Sequence, residues 1–413
     1  MKPSSNTVAS SALAMNIQET IERALASAGL NTQSGPLRGV TETIRKALAS
    51  AGLGGTPAPA KPAAPSREAR DVPIDVHARE VVDTPMPTPM PTDTPDPVDK
   101  PAKPAKPVKA ATADKLPGQF LLRSFTGPAG ARAYKLYIPA HTAAQAAQPM
   151  PLVVMLHGCT QSPDDFAAGT QMNRLADERG VLVVYPEQPS SANPSRCWNW
   201  FRSEDQQRGS GEPALLAGIV EAVGKECAVD PKRVFVAGLS AGAAMAVVLG
   251  ETYPELFAAV GAHSGLPYAA AHDIPSALGA MKGRGAMGRG HFPGTADDPR
   301  LDASHAVPVI VFHGDRDHTV QHSNGETIVS QARAAHARLP KALALVSTTE
   351  EGETGGRRYT RTVHADAQGQ PRVEQWTLHG AGHAWSGGDP SGSFTDAAGP
   401  DASAEMLRFF LGS

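Results

Sequence analysis

The chain has 413 residues, longer than a single domain requires, so one large domain with further segments is expected. Hydrophobic residues make up 41% of it, enough for a sizeable core. The 38 basic and 41 acidic residues leave a net charge of −3, which excludes a broad electrostatic attraction to nucleic acid or anionic membrane; no stretch reaches the roughly 18–20 apolar residues of a membrane-crossing helix.

The N-terminus, MKPSSNTVASSALAMN, has one Lys and a short, Ser-interrupted apolar patch. It lacks the charged region and the roughly 7–15 apolar residues of a secretory signal, so a cytoplasmic location is the expectation. An internal repeat follows: TIERALASAGL (20–30) returns as TIRKALASAGL (43–53). Its apolar residues recur at i, i+4 and i+8 (Ile17, Ile21, Leu25; Val40, Ile44, Leu48), which makes one helical stripe in each copy. Gly29 and Gly52 stand where a helix ends. Residues 1–53 are therefore read as two short amphipathic helices in a largely disordered tail. Either they pack together or on the rest of the chain, or they touch a hydrophobic surface or partner. Residues 54–116 are rich in Pro, Ala, Thr and Asp and read as an extended linker. Lys100, Lys103, Lys106 and Lys109 recur every third residue, along one edge of a polyproline II helix.

Residues 117–413 alternate between strand and helix patterns. RAYKLYIP (132–139) alternates like an antiparallel strand, and PLVVML (151–156) is apolar throughout, like a buried parallel one. A helix is expected over 164–180, a strand at 181–185, a helix at 212–227, a strand at 233–237 and a helix from Ala241. Strands at 257–262 and 307–312, a helix at 324–339, a strand at 373–378 and a helix at 402–411 complete the series. Such alternation implies an α/β fold with a mostly parallel, doubly wound sheet. The Gly-rich stretch 267–306 reads as an insertion or a flexible lid.

The chemistry starts at Gly238-Leu239-Ser240-Ala241-Gly242, a G-x-S-x-G set between an apolar strand and an Ala-rich helix. That setting places a sharply turned serine at the edge of a sheet, as the nucleophile of an α/β-hydrolase. A serine needs a base held by a third group, in the order Ser, Asp or Glu, His. Downstream, Asp315 and Asp317 follow one strand, and His379 and His383 follow another. The residues alone leave both pairs open. No H-E-x-x-H, paired Cys spacing, P-loop or dinucleotide fingerprint occurs, so neither metal nor cofactor is expected. The three cysteines, Cys159, Cys197 and Cys227, leave room for one disulfide at most.

Five ordered segments, LHGCTQ (156–161), CWNWF (197–201), GLSAGAAM (238–245), HGDRDHTV (313–320) and GHAWSGG (382–388), together resemble the polyhydroxybutyrate depolymerase family of esterases. The resemblance spans about residues 118–412 and leaves out the tail. It implies the α/β-hydrolase fold and selects Asp317, three residues after the glycine of the H-G-x-x-D motif, and His383 as partners of Ser240. The oxyanion of ester cleavage would be held by the backbone N–H groups of Ala241, just after the nucleophile, and of Cys159 in the loop after His157-Gly158. His157 is expected to support that loop. The resemblance also suggests a Cys159–Cys197 disulfide, with reduced thiols as the alternative. Such a bond fits an oxidising compartment, so an extracellular location stands against the cytoplasmic one. Trp198, Trp200 and Trp385 either wall a substrate pocket or pack in the core. Poly(3-hydroxybutyrate) or short hydroxyalkanoate esters are the implied substrates, with feruloyl or acetylxylan esters as the alternative. A reading of another class is a polymer-granule binding protein attached through the N-terminal helices.

Overall fold

In β3 (Met150–Leu156), Leu152, Val154 and Leu156 join one hydrophobic cluster while Val153 and Met155 join another, and all five are buried. A strand buried on both faces belongs inside a sheet with helices on each side. The structure, a computed structural model, describes residues 117–140, 148–284, 306–339 and 344–412. The two repeat helices, the Pro-rich linker and residues 285–305 of the expected insertion lie outside the described residues.

The main sheet contains β1 (Gln119–Gly127), β2 (Gly130–Ile138), β3, β4 (Leu182–Pro186), β5 (Val229–Leu239), β6 (Ala259–His263), β7 (Val309–Gly314), β8 (Val346–Thr354), β9 (Arg357–Ala365) and β10 (Pro371–Leu378). Their order across the sheet is β1-β2-β4-β3-β5-β6-β7-β10-β9-β8. The strands from β4 to β10 in that order run parallel, and the pairs at either edge are antiparallel. Two short strands, β11 (Trp385–Ser386) and β12 (Thr395–Asp396), pair separately. The helices are α1 (Pro163–Thr170), α2 (Met172–Arg179), α3 (Gly211–Glu226), α4 (Ala241–Thr252), α5 (Ile274–Gly279), α6 (Ser323–Arg338) and α7 (Ala402–Leu411). Apolar residues of α3, α4 and α6 fill one core cluster, and those of α1, α2 and α7 fill the other. This is the mostly parallel, doubly wound α/β sheet that the sequence pattern implies.

Three features differ from the sequence reading. The helix expected over 164–180 is broken at Gln171, which takes φ 53 and ends α1 by donating its N–H to Ala167 O. The strand expected at 307–312 begins at Val309, because Pro308 has no N–H and contributes only its carbonyl, to Val260. The sheet also extends at both edges: β1 joins β2, and a β8–β9 hairpin lies outside β10, with every residue of β8 but one exposed. The described part of the Gly-rich insertion carries α5 and a following turn, which lies against the loop after β7 through Gln321 N–H to Met281 O and Lys282 Nζ to His318 O.

From β3 the chain passes to β4 on one side and then to β5 on the other. The order therefore reverses between β3 and β5, and the crevice at their C-terminal ends is where a parallel sheet receives ligands.

Candidate active site

Ser240 occupies the turn from β5 into α4 with φ 57 and ψ −118. A non-glycine residue there is strained by about 1–3 kcal/mol and persists only when its surroundings over-determine it. Here the Ser240 N–H donates to His263 O at 2.9 Å, and its carbonyl accepts from Ala244 N–H at 3.0 Å. The flanking glycines have a steric cause. A Cβ on Gly242 would lie 2.0 Å from Leu156 O, and one on Gly238 would lie 2.5 Å from the Gly242 carbonyl carbon. Without side chains there, α4 starts against the end of β3. The Ala241 N–H, first in that helix, has no acceptor one turn back.

Asp317, 1% exposed, sits in the turn after β7. Its Oδ1 accepts from the N–H groups of Thr319 and Val320, both at 2.9 Å, and its Oδ2 accepts from His383 Nδ1 at 2.7 Å. His313 Nε2 approaches Oδ2 to 3.4 Å while donating to Val320 O at 2.9 Å. Burial alone would push the Asp317 carboxyl up, but the hydrogen bonds from His313 and His383 and the charge of His383 hold it well below the usual carboxylate range. With Nδ1–H directed at Asp317, His383 has Nε2 left to take a proton. Asp315 and His379 form a second pair nearer the surface: His379 Nδ1 donates to Asp315 Oδ2 at 3.0 Å, and the Thr360 hydroxyl meets Nε2 at 2.8 Å. The structure thus joins each aspartate to one of the two histidines and buries Asp317, with His383 12% exposed. Among the described residues no hydrogen bond links Ser240 Oγ to His383. Catalytic contacts of this kind tighten on substrate binding.

The serine turn and the His383 loop meet on His263, which the sequence reading did not single out. Its carbonyl holds Ser240, while its Nε2 accepts the Ser386 N–H at 3.1 Å. Trp385 stacks on the same imidazole at 5.2 Å. Burial, with the neighbouring imidazoles of His313 and His383, pushes His263 down to about 3, so it stays neutral. A His at the buried end of an apolar strand was the available signal.

Cys159 follows β3 in the loop beside Ser240 and is joined to Cys197 by a disulfide. The Gly158 N–H donates to Gln161 Oε1 at 2.8 Å, and Gln161 Nε2 in turn reaches Asp165 and Ser393. His157 donates from Nδ1 to Gly158 O at 2.7 Å and accepts the Gln188 N–H on Nε2 at 3.1 Å. Burial pushes it down to about 4, which suits a neutral support. The three tryptophans are core residues. Trp198 donates to His157 O, Trp385 donates to Ser403 Oγ, and these two with Trp200 are at most 6% exposed. The pocket-wall reading gives way to the packing one, because a side chain enclosed on all sides has no face for substrate. Among the described residues no group of three or more His, Cys, Asp or Glu is arranged to hold a metal ion, and no helix is long and apolar enough to cross a membrane.

The family model described as esterase PHB depolymerase matches residues 132–354, more than half of the chain, a range within which Ser240 and Asp317 lie. The chain belongs to this family. It is 33% identical to poly(3-hydroxyalkanoate) depolymerase C of Paucimonas lemoignei over 267 residues, covering 62% of this chain and 59% of that protein. It is 29% identical to acetylxylan esterase A of Aspergillus oryzae over 211 residues, covering 49% of this chain and 66% of that protein. The chain therefore spans less than two thirds of the length of either relative. Among solved structures, an acetyl xylan esterase from Aspergillus awamori superposes with a TM-score of 0.52 at 19% identity, over 71% of this chain and 100% of that one. That likeness establishes the α/β-hydrolase fold.

Proposed function

We propose that this protein is a serine ester hydrolase that cleaves short hydroxyalkanoate esters or poly(3-hydroxybutyrate) through an acyl-enzyme. The observation that carries the reading is the hydrogen bond from His383 to the buried Asp317, on the sheet edge where Ser240 is held at a strained positive φ. Ser240 Oγ attacks the ester carbonyl and gives its proton to His383 Nε2, while Asp317 orients and stabilises the imidazolium. The oxygen that gains the electron pair is held by the N–H groups of Cys159 and Ala241. As the tetrahedral intermediate collapses, His383 protonates the leaving alcohol. Water then attacks the acyl-enzyme with His383 again as base, releasing the acid and free Ser240. No cofactor enters these steps.

Ser240→Ala removes one hydroxyl and no core volume, so the protein should fold and lose p-nitrophenyl butyrate hydrolysis together with organophosphonate labelling. Near-wild-type turnover in that variant would overturn the mechanism. The similarity to the Paucimonas depolymerase supports a hydroxyalkanoate ester as substrate, and the similarity to the Aspergillus oryzae protein supports an acetylated polysaccharide as the second reading. Rates on hydroxybutyrate oligomers, feruloyl esters and acetylated xylan, measured side by side, decide between them. The Cys159–Cys197 bond supports an oxidising, extracellular setting over the cytoplasm. The repeated stripes Ile17-Ile21-Leu25 and Val40-Ile44-Leu48 ahead of a Pro-rich spacer support a further role for residues 1–115, as a tether to an insoluble polyester granule.

A further inference from the structure

Glu212, at the start of α3, is a buried acid with no part in the steps above. Its carboxylate accepts from the Asn199 backbone N–H and the Asn199 side-chain amide, both at 2.7 Å, and from the Gln188 side-chain amide. Arg132 on β2 brings Nη2 to 3.6 Å. Donors from three segments thus converge on one acceptor. Removing it would leave buried N–H groups unpaired.

Two of these donors, Gln188 and Asn199, lead to the oxyanion loop. Gln188 also gives its backbone N–H to His157 Nε2, and His157 Nδ1 holds Gly158 O, the carbonyl just before Cys159. The Gln188 amide reaches Cys197 O at 2.9 Å as well. Asn199 Oδ1 accepts from Asn193 Nδ2 at 2.9 Å, and Asn193 Oδ1 accepts the Cys197 N–H at 3.4 Å. Cys197 is covalently joined to Cys159. One route through an imidazole and one through a disulfide therefore start at the Glu212 carboxylate and end at the same residue.

We infer that Glu212 is the positioning residue of the oxyanion hole. As common acceptor for Gln188 and Asn199, it fixes the Cys159 N–H where the oxygen of the tetrahedral intermediate forms. The inference rests on the esterase reading above. Deleting an oxyanion donor outright costs about 10²–10³ in kcat, and a donor that is only displaced should cost less. The ester gains most from that donor after attack, so KM should hold while kcat falls.

The test uses the full chain with Glu212→Gln, which keeps the volume but turns one acceptor oxygen into a donor facing other donors. Hydrolysis of p-nitrophenyl butyrate is measured per active site, the sites being counted by the p-nitrophenol released on phosphorylation with diethyl p-nitrophenyl phosphate. The expected result is a fall in kcat per site of roughly 10-fold, with KM within about twofold. Asn199→Ala, which removes one of the two routes, should show the same split more weakly and serves if Glu212→Gln does not fold. An unchanged kcat per site, with only fewer titratable sites or a lower melting temperature, would mean a merely structural role and overturn the inference. So would a rise in KM alone. Ser240→Ala runs alongside: activity there overturns the esterase reading itself, whereas a dead Ser240→Ala beside a normal Glu212→Gln overturns only the positioning role.

Discussion

Asp315 and Asp317 stand two positions apart on one turn, and each receives a hydrogen bond from the Nδ1 of a histidine. Their surroundings separate them. Asp317 is enclosed and its two oxygens accept from Thr319, Val320 and His383, whereas the Asp315 side chain is 37% exposed and accepts from His379 and the Gly380 N–H. The Asp317–His383 pair is the less exposed of the two, so water screens an imidazolium less from its carboxylate there. Asp317→Asn keeps the shape but lets an amide donor face His383, which favours the wrong tautomer; turnover of p-nitrophenyl butyrate should fall by about 10⁴, as in a serine protease triad. Asp315→Asn should cost far less, and the opposite ranking in steady-state kinetics would reassign the acid. The strand ends could be read from the residues, but the choice between the two aspartates needed the family motif. The structure encloses Asp317 and leaves Asp315 part-exposed, and the approach of His313 and the Val320 N–H to Asp317 is something no local pattern announces.

Strand ends meet the active site through histidines. His157 follows β3, His263 ends β6 and His313 is the penultimate residue of β7, and each binds the backbone of a segment that follows one of these strands or the His383 loop. Burial holds His157 at about 4 and His263 at about 3, against an ordinary value of about 6.5. The unfolded chain takes up these protons as pH falls through about 6.5, and the folded chain does so only near 4 and 3. Their contribution is therefore complete above about pH 6.5 and is lost as pH falls through that window, with roughly 3 kcal/mol from His157. Buried His336, also held at about 4, adds to the loss. Glu212, pushed up to about 7 by burial and then by Asp205, acts in the opposite direction over part of the same range, and Asp205 and Asp401 are raised by burial too, but these acids are set against five imidazoles that burial lowers, His322 and His364 included. Urea midpoints measured from pH 7.5 to 4.5 should fall steadily; a flat profile would contradict neutral, buried histidines. Other elements were plainer in the sequence than the reading took them to be. The β8–β9 hairpin turns on Gly355-Gly356 with φ 57 and 73, and a Gly-Gly between Thr-rich alternating runs is a hairpin signal. The β1–β2 connection, Gly127-Pro128-Ala129-Gly130, carries a turn signal too, with Pro at its second position and Gly at its fourth, so β1 was also legible.

At the scale of the whole chain, the proposed chemistry and the proposed attachment fall in different segments. Every group assigned to acyl transfer lies between Cys159 and His383, while the repeated apolar stripes lie before residue 54. Removing residues 1–115 should leave turnover of soluble short esters within about twofold and lower the activity on polyester granules much more. Ile21→Asp with Ile44→Asp should copy the truncation, because it breaks both stripes at full length. Equal granule activity in all three proteins would end the tether proposal. The exposed β8 edge bears on a different property, the behaviour of many copies together. Open strand edges recruit further strands, and ordered aggregates grow from them. This one carries Glu350, bridged to Arg361, and then Glu351 and Glu353 on an exposed run. A second copy approaching antiparallel would bring carboxylate against carboxylate, which is unfavourable across a strand pair. At neutral pH the edge thus repels its own kind, and crowding the enzyme on a polymer surface need not end in strand-by-strand self-association.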